Sequence, residues 1–173
     1  MGDHTAIVLK NTYTTAALQQ RIALLKEFLE YAFYGAGGGQ SPSLQMLDTF
    51  AAERSLEPVH VDALRAWGPG LWGAISAGTF YQTLNTLLAS FKEVPVLTLY
   101  TPVKFPPQEM SVLGERIRAL MGKVVLIDDH IDSDLSIGCA FVLSGVYHEY
   151  GLPFFVGRKQ AELMTLITRY GSR

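Results

Sequence analysis

Val94-Pro95-Val96-Leu97-Thr98-Leu99-Tyr100-Thr101 is where the chain changes its grammar. β-Branched and apolar residues between turn signals predict a strand over 96–101, whereas everything upstream reads as helix. Leu18, Ile22, Leu25, Leu29 and Ala32 step by three and four through 14–34, which marks an amphipathic helix ending at Gly35-Ala36-Gly37-Gly38-Gly39. A second helix is expected over 42–54, with Ser41 as N-cap, Pro42 in the first turn and Leu44, Leu47, Phe50 and Ala51 as its apolar face. A short helix over 61–67 stops at Gly68-Pro69-Gly70, and 71–75 is a candidate for one further turn. Across 79–91, Phe80, Leu84, Leu87, Leu88 and Phe91 line one side of a helix.

Downstream of the strand, Pro106-Pro107 opens a helix that runs to Met121, with Val112, Leu113, Ile117, Leu120 and Met121 inward and Gly122 as C-cap. Strands are expected at 123–128 and at 137–147, the second bent near Gly145, and a closing helix at 158–170. The class is α+β: an N-terminal α-helical bundle domain, 1–93, followed by a small β-α-β-β-α domain, 94–173. Its three strands should share one sheet with the helices on one face.

Composition narrows the functional classes. The 173 residues carry 14 Lys+Arg against 16 Asp+Glu, a formal charge of −2, so the basic footprint that nucleic-acid phosphates demand is missing. At 49% apolar the chain can form a core, while 17% charged lies below the ~25% of an average soluble domain. That balance leaves apolar surface for a partner, as in a subunit of an assembly. The uncharged stretch 66–91 is too broken by glycine and proline, and too rich in Thr, Gln and Asn, for a membrane span. Cys139 is the single cysteine, which removes internal disulfides and fits a reducing compartment. The start Met1-Gly2-Asp3-His4-Thr5-Ala6 lacks both a basic signal-peptide start and a myristoylation pattern, so a cytosolic chain is expected.

Candidate chemistry is sparse. The glycine run 35–39 follows a helix and precedes Gln40-Ser41-Pro42, not the Gly-Lys-Ser/Thr of a phosphate loop, so a linker explains it better. Asp128, Asp129, Asp132 and Asp134 around His130 suggest a hard-metal site, but the calcium-loop spacing is absent and a solvated turn is simpler. His4, His60, His130 and His148 form no zinc pair. His148 and Glu149 are adjacent in a strand and so point to opposite faces. Cys139, within an apolar run, reads as a small hydrophobe. Trp67, Trp72, Phe154 and Phe155 are core or interface aromatics, with core expected for three of the four. No catalytic residue, metal ligand or cofactor site emerges.

The order of motifs in the second half resembles the delta subunit of F-type ATP synthases, the oligomycin-sensitivity-conferring protein family. The likeness runs over about 80 residues. Val94 to Val103 matches the strand that leaves that family's helical domain, followed by a helix, Gly122-Lys123 and the strand Val124-Val125-Leu126-Ile127. Asp134-Leu135-Ser136-Ile137-Gly138-Cys139-Ala140-Phe141 matches the family's Asp-x-x-apolar-apolar-Gly-Gly-Phe in part, with Cys139-Ala140 in place of the glycine pair. Gly151 to Gly157 reads as extra length before the last helix, and 1–92 lacks the family's Arg-Tyr-Ala signature.

The resemblance implies a non-catalytic peripheral-stalk subunit linking the catalytic head of a proton-translocating ATP synthase to its stator stalk. It would lie at the cytoplasmic side of the cell inner membrane, bound through the complex, with no cofactor. The N-terminal bundle would clasp a helix of the head's alpha subunit, and the C-terminal domain would hold the stalk's b subunit. Helix-in-groove contact is the expected mode, with Leu163, Leu166, Ile167 and Tyr170 as the candidate partner-binding stripe. A V-type peripheral-stalk subunit shares a related pattern but normally starts with a long charged coiled coil. Two other classes stay open: a small-molecule-binding or enzymatic α/β domain using His148, Glu149 and the aspartates around Asp132, and a general adaptor.

Overall fold

The computed structural model describes residues 3–35 and 41–170, which form a mixed α/β fold of seven α-helices and one four-stranded mixed sheet. The expected glycine linker at 35–39 lies outside the described residues, apart from Gly35 at the end of the second helix. The elements run α1 (Asp3–Leu9), α2 (Thr15–Tyr34), α3 (Leu44–Arg54), α4 (Pro58–Leu71), a 3-10 turn (Trp72–Ala74), α5 (Phe80–Phe91), β1 (Val96–Thr101), α6 (Pro107–Met121), β2 (Leu126–Ile131), β3 (Gly138–Leu143), β4 (Val146–Gly151) and α7 (Leu152–Tyr170).

The stripe on α2 organises the helical half. Thr14 caps the helix by accepting from the Ala17 N–H, and Leu18, Ile22, Leu25, Leu29 and Ala32 are all buried, together with Phe28 and Phe33. Trp72 packs edge-on against Phe28 and donates its indole N–H to the Leu64 carbonyl, while the Trp67 indole donates to Asn11. These buried tryptophans correct the expectation that Gly68-Pro69-Gly70 ends the helix: α4 starts at Pro58 and continues through that triplet to Leu71. Packing outweighs propensity here, because a side chain at Gly68 would press on the Trp72 ring. On α3, Ser43 rather than Ser41 is the cap, since its hydroxyl accepts from the Met46 N–H, and the helix begins two residues later than expected. Leu44 on α3 and Leu88 on α5 turn out to be exposed.

The sheet order is β2-β1-β3-β4, with β1 parallel to β2 and antiparallel to β3. β1 and α6 have the bounds that the sequence predicts, and Gly122 takes the left-handed C-cap at φ 62°. β2 does not start at Lys123. The Leu126 N–H donates to Pro95 O and Val96 pairs with Leu126, so Asp128, Asp129, His130 and Ile131 belong to the strand and not to a turn. The expected strand at 137–147 is two strands of a hairpin, because Ser144 and Gly145 both take positive φ, the signature of a tight two-residue turn. The second half therefore has four strands, not three. Gly138 at φ 104° also has no room for a side chain, which would strike the Tyr150 carbonyl.

α6 covers one face of the sheet. Met110, Leu113 and Ile117 pack with Leu97, Leu99, Ile127 and Phe141, whereas Val112 and Leu120 point out to solvent instead of inward. The opposite face is not bare, contrary to the one-sided arrangement expected: Leu126 joins the core of α1 to α5, and Asp128 accepts from Thr15 of α2 at 2.8 Å.

The segment between α1 and α2 ties these parts together. The Ile127 N–H donates to Tyr13 O at 2.8 Å, which places 13–14 alongside the outer edge of β2. Arg118 of α6 donates to the carbonyls of Leu9, Thr12 (2.6 Å) and Val125 (3.1 Å) and lies over the Tyr13 ring. From the other side, Arg21 donates to Asn11 O and the Thr12 hydroxyl. Tyr13 rests on Gly114, where an added methyl would sit 2.6 Å from its Cβ. Lysine cannot serve three carbonyls of this fork and stack on the ring as well. Replacing Arg118→Lys should therefore cost about 2–3 kcal/mol in urea unfolding, and Gly114→Ala should destabilise by displacing Tyr13.

Candidate functional site

The candidate stripe lies on α7, but the side chains of Leu163, Leu166, Ile167 and Tyr170 lie outside the described residues. The helix itself starts at Leu152, six residues before the expected Arg158, so the segment Gly151 to Gly157 is helix after its first glycine and not a loop. Every α7 side chain that is described is exposed, including Phe155 at 51% and Met164 at 56%. Among the described residues it packs on β4, with Phe154 edge-on to Tyr150 at 4.9 Å. Of the four aromatics singled out, Trp67 and Trp72 fill the core, while Phe154 and Phe155 are exposed on this helix, so two and not three are core.

A second candidate surface is the groove between α1 and α5, about 330 Å³, lined by His4, Thr5, Gln82, Thr83, Thr86 and Ser90 among others. It is more polar than the apolar anchors expected for a helix groove. α1 itself was not foreseen, since 3–9 is too short to display a periodic stripe.

His148 and Glu149 do not converge. His148 lies against Phe141 across the hairpin, with ring centroids 5.0 Å apart, and Glu149 is on the other face of β4. Asp128 bonds His130 at 3.0 Å, and that contact, with the Thr15 hydroxyl, holds its carboxyl below the usual range. Asp132 turns back to accept from the Asp134 N–H, as an aspartate does in a turn. Among the described residues, no three His, Cys, Asp or Glu side chains are grouped to hold a metal ion. Cys139 is half-buried against the α6 core. No helix among the described residues is long and apolar enough to cross a membrane.

Sequence reasoning weighed His60 only as a zinc ligand and passed over Arg21. They meet at a cleft of about 370 Å³ between α2, the turn before α4 and the loop into α6, lined also by Asn11, Glu57, Lys104 and Asp129. His60 is buried, and desolvation together with the Arg21 charge pulls its imidazole below the ordinary value, partly opposed by Glu57. The only signal in the sequence was a histidine two residues into a proline-started helix, which carries no chemistry by itself.

Comparison with models of known protein families gives no match, and a search of the curated proteins gives none either.

The lowered imidazole value has a stability consequence. The unfolded chain binds the His60 proton at the ordinary 6.5, whereas the folded chain binds it only at lower pH. Within that window the unfolded state holds more protons, so stability falls as pH drops below 6.5, at up to about 1.4 kcal/mol per pH unit. Urea unfolding between pH 7 and 5 should show this slope, and His60→Gln should remove its share of it.

Proposed function

We propose that this chain is a non-catalytic peripheral-stalk subunit that links the catalytic head of a proton-translocating ATP synthase to its stator stalk. The observation that carries the reading is α7: a 19-residue helix that meets β4 and leaves Phe154, Phe155, Val156 and Met164 in solvent. Aromatic and aliphatic groups left in solvent along one helix are costly, and contact with a partner helix would remove them from water. The order of helical half and α/β half agrees with the motif order of the delta-subunit family, and the helix between the first two strands lies where that resemblance expects it.

On this reading the chain is organised as a bundle domain, 1–93, and a small α/β domain, 94–173, with α7 holding the b subunit of the stalk. The α1–α5 groove would receive a helix of the head's alpha subunit, through hydroxyl groups more than apolar anchors. Its work is mechanical, so the subunit holds the head against rotor torque and needs interfaces rather than perturbed carboxylates.

Tagged chain expressed in its own host should copurify with subunits of the synthase. Phe155→Asp should leave the fold intact, because the ring is half in solvent, yet reduce stalk capture at least tenfold, since a charge is costly where an interface desolvates it. Copurification without any synthase subunit, or unchanged capture by the variant, would reject the reading. For the domain division the check is limited proteolysis: a preferential cut within about residues 90–95 would favour two independent domains. Resistance there, which the burial of Phe91 and Val94 in one core with Leu126 favours, would mean that the two parts behave as one unit.

A further inference from the structure

Beside the α1–α2 segment, two buried nitrogens just behind the lining of a cleft are not employed by the fold. Arg21 is 7% exposed and His60 8%, and neither Arg21 Nε nor His60 Nδ1 has a hydrogen-bond partner among the described residues. Arg21 uses Nη1 on Asn11 O and the Thr12 hydroxyl, which are neutral acceptors. No carboxylate among the described residues lies within ion-pair distance of it, and Glu57 is 3.8 Å from the far nitrogen of His60. Buried polar groups are nearly always satisfied, and a buried guanidinium without a counter-charge is more costly still. Both side chains line the same cleft, which opens between Ala17, Val59 and Phe105.

We propose that this cleft binds a singly charged carboxylate carried on a short apolar body, with the carboxylate drawn to Arg21 and His60 and the body lying on Ala17, Val59 and Phe105. A single charge is favoured over a phosphate dianion because Glu57 and Asp129 line the same cleft and repel a second charge, against which only Lys104 adds a cation. The volume of about 370 Å³ is at the small end of ligand clefts and has room for a short organic acid or an acidic side chain with part of its peptide. A free organic acid and an acidic side chain on a docked peptide share this chemistry. The inference does not depend on the stalk reading, since it rests on the buried pair alone.

The test is an NMR titration of the His60 imidazole in the full chain. The probes are sodium butyrate, an end-capped Ala-Glu-Ala peptide and inorganic phosphate, with sodium chloride at matched ionic strength. Butyrate should shift the His60 signals saturably at low millimolar concentration and raise its titration midpoint by about one unit, as a nearby anion does. Tighter binding of the peptide than of butyrate assigns the carboxylate to a polypeptide, and weaker binding assigns it to a free acid. Because Arg21→Met also frees the Asn11–Thr12 segment, the decisive variant is Ala17→Leu, which occupies the apolar side of the cleft beside Val59 and Phe105 without touching a charge and should weaken butyrate at least tenfold while circular dichroism stays unchanged. No saturable shift, an equal response to chloride, phosphate as tight as butyrate, or undiminished binding to Ala17→Leu would each overturn the proposal.

Discussion

A single guanidinium joins what the sequence presents as separate halves. Arg118 stands on α6, over the sheet, and its donors reach Leu9 and Thr12 next to the helical core as well as Val125 before β2. Burial works against the charges of Arg118 and Arg21 alike, so each is held by oxygens of the chain that it fixes in place. The 9–14 segment could not lie along β2 without them, because its carbonyls would lose charged donors worth ~1.5–3 kcal/mol apiece.

That placement makes the sheet asymmetric. The β2 edge is covered where Tyr13 accepts from Ile127, while β4 at the other side carries exposed residues along most of its length and continues directly into α7. The covered edge is next to the Arg21–His60 cleft, and the open one is next to the exposed aromatics of α7. These two of the three surfaces offered for recognition thus sit at the margins of one sheet, whereas the α1–α5 groove belongs to the helical part. On the stalk reading, force arriving at α7 would pass through β4, β3 and β1 to β2 and then, by way of the 9–14 segment, to the helical core.

The parts legible in the sequence were those whose signal is local. The α2 stripe, β1 between its turn signals, and α6 between Pro107 and Gly122 need no partner to be read. What was missed depends on contacts distant in sequence. The start of β2 is decided by its register on Val96, and the run through Gly68-Pro69-Gly70 by the burial of two tryptophans. The bend expected near Gly145 is a two-residue turn, which Ser144 does not announce because serine seldom takes the left-handed conformation that such a turn requires. The Arg21–His60 pair is separated by 39 positions, and neither residue belongs to a periodic pattern that would have brought them together.

The most direct measurement of the central claim is hydrogen exchange at the Ile127 amide, whose acceptor is Tyr13 O on the other side of the junction. If the arginine-held segment joins the two cores into one cooperative unit, this amide exchanges only through global unfolding, with the same opening free energy as the amides of Leu25 and Leu99. Exchange through a local opening, several kcal/mol below that of those core amides and unaffected by Arg118→Lys, would contradict the account.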